Sequence, residues 1–409
     1  MHSLTHPPQT QTDTHTRART HTYNNIFEQA ARRQLDRKLR DLKGNVRVFC
    51  RVRPLVAGNP QALPLASSFA DVALASATRA AHRSSGGSAS SFEYDAVFGP
   101  TSTQAELYAQ VHELVPSVLD GFDVCIFAYG ATGSGKTFTM TGPVADRGLN
   151  PRALQDILAH AERRRGEEES VELRVSMLEI YNNRLRDLMG EAAKGEAGED
   201  SCKLELTPAF FSEWTGPAAF AAAPPGLFSA RVHNVDDIMT VMATGNALRA
   251  RASTELNTLS SRSHTVLLVH ATTTNLLTGG STVGRMHLID LAGSEDAGRS
   301  GARRQGGALS EEAQHINSSL EALGKVMRAH ARKTPPDQID YGDSALTQLL
   351  QGSLQAQTKM VMLIHVNPSP SLAAEARQTL EFGASVRDIE LGEARARSVG
   401  LADAAHRGG

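Results

Sequence analysis

Two rhythms of apolar residues alternate along this chain. Short runs rich in β-branched and aromatic side chains, Val46–Val52, Val124–Tyr129, Val171–Tyr181, His264–Thr273, Met286–Leu291 and Lys359–Val366, predict strands. Between them, apolar residues return every three or four positions across Thr103–Leu119, Arg152–Arg164, Asp236–Arg249, Glu311–His330 and Ser344–Leu354. That spacing predicts helices with one face turned inward. Strands this apolar need cover on both faces, so the alternation predicts an α/β fold in which helices sandwich a sheet.

Upstream of the first strand the pattern thins. From Ile26 to Lys43 only Ala31, Leu35, Leu39 and Leu42 form a stripe, which predicts an amphipathic neck helix over 26–45, ended by Gly44-Asn45. Such a stripe either packs on the domain or continues a two-stranded coiled coil, through which the chain would form a homodimer. Residues 1–25 hold almost no large apolar side chain and are expected to be a disordered tail; His2, His6, His15 and His21 are too unevenly spaced to suggest a metal set. The Ala/Ser/Gly-rich stretch at about 66–91 and the Ala/Gly/Pro-rich stretch at about 190–230 are expected to be loop insertions. Residues 394–409 are expected to be a flexible C-terminal tail.

Composition narrows the function classes. The 42 Lys and Arg nearly cancel the 44 Asp and Glu of the 409 residues, which gives no basic excess for nucleic acid or an anionic membrane. Cys50, Cys125 and Cys202 lie far apart with no C-x-x-C pair, so neither structural zinc nor a disulfide framework is expected. No apolar run approaches the ~20 residues of a membrane span, and a cytoplasmic location is expected.

The sharpest chemistry is Gly130-Ala131-Thr132-Gly133-Ser134-Gly135-Lys136-Thr137, directly after the run Val-Cys-Ile-Phe-Ala-Tyr. This is the phosphate-binding pattern G-x-x-x-x-G-K-[ST] in its required context after a strand. Glycines let successive N–H groups curl around an anion, Lys136 reaches the β- and γ-phosphates, and Thr137 can ligate Mg²⁺. The loop says only that a nucleoside triphosphate binds; motors, helicases, kinases and GTPases all use one.

Two later segments choose among these. Asn257-Thr258-Leu259-Ser260-Ser261-Arg262-Ser263-His264 precedes a strand, and Asp290-Leu291-Ala292-Gly293-Ser294-Glu295 follows one. Together they offer a carboxylate on the Mg²⁺ side in Asp290, a flexible Gly293 whose N–H can sense a γ-phosphate, and hydroxyls that can orient water. In these residues the chain resembles the kinesins, whose two nucleotide switches read N-x-x-S-S-R-S-H and D-L-A-G-S-E. Arg51-Val52-Arg53-Pro54, Val97-Phe98-Gly99-Pro100, Glu179-Ile180-Tyr181-Asn182 and Ile316-Asn317-Ser318-Ser319-Leu320 are similar to family segments in the family order. The stretch Leu42–Pro54 resembles the neck and first strand of the C-terminal-motor kinesins, plant-like members in particular, which generally move toward the microtubule minus end.

The resemblance implies a kinesin motor domain over 46–393: an eight-stranded, mostly parallel sheet with three helices on each face, binding ATP and Mg²⁺. It implies that Arg51, Arg53, Pro54 and Phe138 frame the adenine, and that Thr137, Ser261 and Asp290 hold the metal. Ser260 and Ser261 would hold γ-phosphate and the lytic water, and Arg262 and Glu295 would form an ion pair that closes with ATP bound. Arg303, Arg304, Lys325, Arg328, Arg332 and Lys333 would supply positive charge toward tubulin. The chain departs from the family on that same face. Where kinesins commonly show V-P-Y-R-N-S-K-L-T it reads Ile339-Asp340-Tyr341-Gly342-Asp343-Ser344-Ala345-Leu346-Thr347, and Ser318 replaces a Lys. Two readings follow: a microtubule-stimulated ATPase motor, or a non-motile kinesin-like module that binds nucleotide and holds tubulin weakly or another partner.

Overall fold

The computed structural model describes residues 45–54, 72–74, 79–83, 89–166, 168–190, 203–204, 226–251, 261–295, 308–354, 358–391, 394 and 396–399. The expected tail over 1–25 and, apart from Asn45, the neck helix over 26–45 lie outside the described residues, as do Ser260, Arg303 and Arg304.

β1 (Val46–Val52) coincides with its predicted run. β2 (Val72–Leu74), β3 (Arg79–Arg83) and β4 (Ala89–Glu93) form a small antiparallel meander. The stretch at 66–91 expected as a loop is therefore in part a sheet, held by backbone ladder bonds that composition does not report. After β5 (Ala96–Phe98), α1 (Gln104–Val111) opens with a capping box: Thr103 Oγ1 accepts from the Glu106 N–H at 3.1 Å, and Glu106 Oε2 accepts from the Thr103 N–H at 2.8 Å. The helix predicted to run unbroken to Leu119 instead tightens into a 3₁₀ turn over His112–Leu114. It resumes as α2 (Val115–Leu119), whose Pro116 has no N–H to continue the ladder.

β6 (Asp123–Tyr129) leads through the glycine-rich loop to α3 (Lys136–Met140) and α4 (Leu149–Arg164). β7 (Glu169–Tyr181) turns into β8 (Arg184–Asp187) through Asn182 and Asn183 at φ 50° and 60°, the left-handed pair of a type I′ hairpin. Beyond β9 (Lys203–Leu204) and β10 (Ala230–Arg231) lie α5 (Val235–Arg251) and the long hairpin of β11 (His264–Asn275) and β12 (Ser281–Asp290). The chain then forms α6 (Ala308–Ala331), α7 (Ala345–Leu350), β13 (Thr358–Val366), α8 (Ala373–Arg387) and β14 (Ser398–Val399). The apolar rhythm does not predict α8, because its buried face is Ala376, Thr379, Leu380, Gly383 and Val386. Those small residues are required: a Cβ on Gly383 would lie 2.5 Å from Ile364 Cδ1, so only glycine lets the helix approach β13 this closely.

The central sheet runs β5-β1-β13-β6-β12-β11-β7-β8-β9. Its ladders are parallel from β5 to β12 and antiparallel from β12 to β9, so the sheet is parallel in the half that carries the phosphate loop and mixed as a whole. Alternation along each strand fills two cores. Val48, Cys50 and Val52 of β1 join Leu323, Leu346, Leu349 and Leu380 from α6, α7 and α8. Phe49 of β1 and Val124 and Ile126 of β6 join Leu107, Leu154, Ile157 and Ile238 from α1, α4 and α5 on the other face. β1, β6 and β12 all end, at their carboxyl ends, beside one cleft, where open α/β sheets place ligands.

Of the segment expected as a flexible tail from 394, residues 394 and 396–399 are described, and Ser398–Val399 form a strand. β14 pairs with β12, the Arg397 N–H donates to Gly121 O at 2.9 Å, and Arg397 Nη2 lies 2.6 Å from the buried Asp123 Oδ2. A buried carboxylate demands cationic partners, and Asp123 takes Arg285 at 2.9 Å as well.

Candidate nucleotide site

The loop between β6 and α3 is shaped by three glycines at positive φ: Gly130 (147°), Gly133 (74°) and Gly135 (103°). At Gly130 a Cβ would come 2.3 Å from His365 O, so glycine is needed for both conformation and space. Lys136, only 7% exposed, folds its ammonium against the loop, and Nζ donates to Gly130 O at 2.7 Å and Ala131 O at 3.0 Å. Burial pushes its pKa down while Asp290 and Glu295 pull it back up.

Asp290, at the end of β12, faces Lys136 across the loop. Its Oδ2 accepts from Thr137 Oγ1 at 2.6 Å and lies 3.8 Å from Arg249 Nη1, while Oδ1 has no hydrogen-bond partner among the described residues. Burial raises the pKa of this carboxyl, opposed by Arg249, the Thr137 hydroxyl and Lys136. A carboxylate with an oxygen to spare, beside the Thr137 hydroxyl and with Ser261 lining the same cleft, is a set of hard oxygen donors that fits a small divalent cation.

Arg249 also approaches Glu179 Oε1 at 3.8 Å, and Glu179 accepts from Ser263 Oγ at 2.8 Å with Arg186 Nη1 3.8 Å from its other oxygen. The sequence patterns do not mark Arg249, Glu179 or Ser263 as site residues. A glutamate inside the apolar run Met177-Leu178-Glu179-Ile180 was the available signal, since a buried charge requires partners.

The two switch segments meet directly. Gly293 N–H donates to Ser261 O at 2.9 Å, and Ser294 N–H donates to Gly130 O at 3.1 Å. Glu295 turns onto the phosphate loop: Oε2 accepts from the Thr132 N–H at 2.7 Å and Oε1 from the Thr132 hydroxyl. A Cβ on Gly293 would fall 2.3 Å from Glu295 Oε2, so the carboxylate reaches Thr132 only across a glycine. Thr132 is thus one partner of Glu295, and no pattern in the sequence points to it.

On the far side of the loop the cleft, about 580 Å³, is lined by Arg51, Arg53, Pro54, Pro100, Gly133, Phe138 and Asp146 among others. Phe138 is 47% exposed, so it serves no core and its ring faces the cleft. Arg51, which lines this cleft, is held in place there: Nη1 donates to Gln104 Oε1 at 2.7 Å and Thr139 Oγ1 at 2.8 Å, and its guanidinium lies 5.3 Å from the Phe138 ring centroid. It braces the aromatic platform. Arg53 Nη1 donates to Gly133 O and ties the end of β1 to the loop.

Of the cations expected to face tubulin, Lys325 and Lys333 are paired within the chain. Lys325 Nζ lies 3.0 Å from Asp343 Oδ2, a hydrogen bond that raises the lysine's pKa, and Lys333 Nζ lies 2.9 Å from Glu390 Oε2. Ala345, read from sequence as a lost cation of this face, is 1% exposed at the start of α7.

The profile of the Kinesin motor domain family matches residues 51–389. The chain is 40% identical over 377 residues to kinesin-like protein KIN-14I of Arabidopsis thaliana, covering 91% of this chain and 36% of that protein. It is 40% identical over 383 residues to kinesin-like protein KIN-14Q of Oryza sativa subsp. japonica, covering 92% and 37%. The chain therefore spans little more than a third of the length of these curated relatives. Among solved structures, the C-terminal motor and motor homology domain of Kar3Vik1, fused to a synthetic heterodimeric coiled coil, superposes with a TM-score of 0.75 at 27% identity, covering 92% of this chain and 93% of that one. A KIF14 dimer in a two-heads-bound state with AMP-PNP, in complex with a microtubule, gives 0.72 at 29% identity, covering 86% and 96%.

Proposed function

The chain belongs to the kinesin motor domain family, and we propose that it is a microtubule-stimulated ATPase that converts ATP hydrolysis into movement or force along microtubules. The observation that carries this reading is the convergence of three loops on one point. Lys136, the Thr137–Asp290 pair and the Gly293–Ser261 bond surround the same end of the sheet.

In this reading the loop N–H groups from Thr132 to Thr137 cradle the phosphates, and Lys136 exchanges two carbonyls for the β- and γ-phosphate oxygens. Thr137, Ser261 and Asp290 would hold Mg²⁺, which supplies neutralisation of charge on the phosphate oxygens. Arg53, Pro54 and Phe138 receive the base. Gly293 gives up Ser261 O for the γ-phosphate, and Arg262 and Glu295 form the ion pair that closes the switches over the nucleotide. Ser260 and Ser261 then orient the water whose oxygen bonds to the γ-phosphorus as the bridging P–O bond breaks, leaving ADP and phosphate. Resemblance at Leu42–Pro54 to the C-terminal motors supports minus-end direction, and the stripe over 26–45 supports dimerisation through the neck. A cytoplasmic, microtubule-associated location follows from the same reading.

Measuring ATPase turnover with and without microtubules tests it, and turnover is expected to rise when microtubules are added. A rate indifferent to microtubules would leave the second reading, a non-motile nucleotide module. One observation favours that alternative: the carboxylates of Asp343 and Glu390 already occupy Lys325 and Lys333.

A further inference from the structure

A buried histidine outside the nucleotide-contacting groups joins elements that the proposed activity must couple. His264 opens β11 and is 2% exposed. Its Nδ1 accepts the Ala292 N–H at 3.1 Å, one residue before Gly293. A ring nitrogen that accepts carries no proton, so the neutral imidazole holds its proton on Nε2, which donates to Ser319 Oγ of α6 at 2.8 Å. Ser319 Oγ donates onward to Ile316 O at 2.7 Å, the backbone of α6 itself. Burial first, then Lys136 and Arg249, push the imidazole pKa to about 3, so the ring is neutral at physiological pH and its tautomer does not vary. The three bonds share one polarity, from the Gly293 loop through a rigid ring into the helix.

We propose that His264 is a positioning residue that transmits the state of the Gly293 loop to α6, a role that rests on the motor reading given above. When the Gly293 N–H trades Ser261 O for a γ-phosphate, Ala292 shifts with it. The imidazole is held on both nitrogens and has no free rotation to absorb that shift, so Ser319 and the helix follow. The same link runs backward: a filament that fixes α6 fixes the loop that completes the hydrolytic site.

Ser319→Ala tests this, because it removes one hydroxyl on α6 and leaves every nucleotide contact in place. Basal ATPase is expected within about twofold of the parent. Microtubule-stimulated kcat should fall about fivefold, the scale of one neutral hydrogen bond, with the microtubule concentration for half-stimulation unchanged. His264→Asn should lower stimulated kcat, and adding Ser319→Ala to it should lower it no further, because the two act through one bond. Stimulated turnover equal to the parent's, an equal fall in basal and stimulated rates, or multiplying effects in the double variant would each overturn the assignment. A second readout needs no microtubules. Amide hydrogen exchange of α6 should differ between ADP and a non-hydrolysable ATP analogue in the parent, and Ser319→Ala should abolish the difference. If the parent is not stimulated by microtubules yet shows this Ser319-dependent response, the motor reading fails and the role of His264 stands. If α6 responds alike in parent and variant, or in neither, the role of His264 falls.

Discussion

Lys136 and Lys325 carry the same ammonium group into opposite settings. Lys136 lies beneath the phosphate loop, donates to two carbonyls, and has its pKa lowered by burial. Lys325 stands on the outer face of α6 with 55% of its side chain exposed, paired to Asp343, and its pKa is raised. Around the first, Asp290, Arg249, Glu179 and Ser263 form a network in which each group compensates another's desolvation. Around the second, water and salt do most of the compensating. Chemistry is fixed in the first setting, and affinity is adjustable in the second.

Acid should break the buried side most severely. His264, His270, His287 and His365 are each held neutral by burial with pKa about 3. In the unfolded chain these rings take up protons below about pH 6.5, while the folded chain refuses them until about pH 3. Their contribution to stability is therefore fully present above about pH 6.5 and is lost as pH falls, by about 1.4 kcal/mol per pH unit for each proton by which the two states differ. Urea midpoints measured at pH 7.5, 6 and 5 should fall steeply; midpoints flat across that range would show that the histidines are solvated. Next in size, Lys136→Ala should lower turnover more than about a hundredfold, since no neighbour replaces its contact to the phosphates. Turnover within about tenfold of the parent would overturn the loop's assignment.

The exposed side should yield to smaller perturbations. Gly342→Arg is expected to tighten cosedimentation with microtubules about threefold to tenfold at low salt. The glycine has ordinary backbone geometry, and among the described residues only the Asp340 carboxylate approaches its Cβ position, at 3.1 Å. Asp343→Asn should give less, about twofold, by releasing Lys325 and removing one repulsion from an acidic partner. Both gains should fade as the Debye length drops below about 10 Å, and basal ATPase should not move. No tightening from either would show that this face does not meet tubulin.

What could be read from the sequence follows the same division. β1 matches its predicted bounds, and the phosphate loop is complete in sequence, because both are set by neighbours along the chain. The Thr132–Glu295 contact and the Arg249–Glu179 pairing join residues far apart, and although a glutamate inside an apolar run signals that Glu179 needs a partner, nothing local says which. α8 escaped because close packing on β13 selects small residues, which weakens the periodicity that reveals a helix. Ala345 misled in the opposite sense: aligned with a family cation, it is buried.

The place of β13 in the sheet has a consequence for biosynthesis. β13 lies between β1 and β6, pairing Met360 with Val46 and Thr358 with Asp123. A ribosome that has delivered the phosphate loop has made two parallel strands that cannot yet touch, and each keeps an open edge until residue 366 emerges. The β11–β12 hairpin closes as it is translated, whereas the half with the phosphate loop must wait for a strand that begins only at Thr358, a pairing of high contact order. A nascent chain stalled before β13, or a transcript cut there, would present those edges to its neighbours and aggregate, although it already encodes every residue assigned to nucleotide binding and hydrolysis.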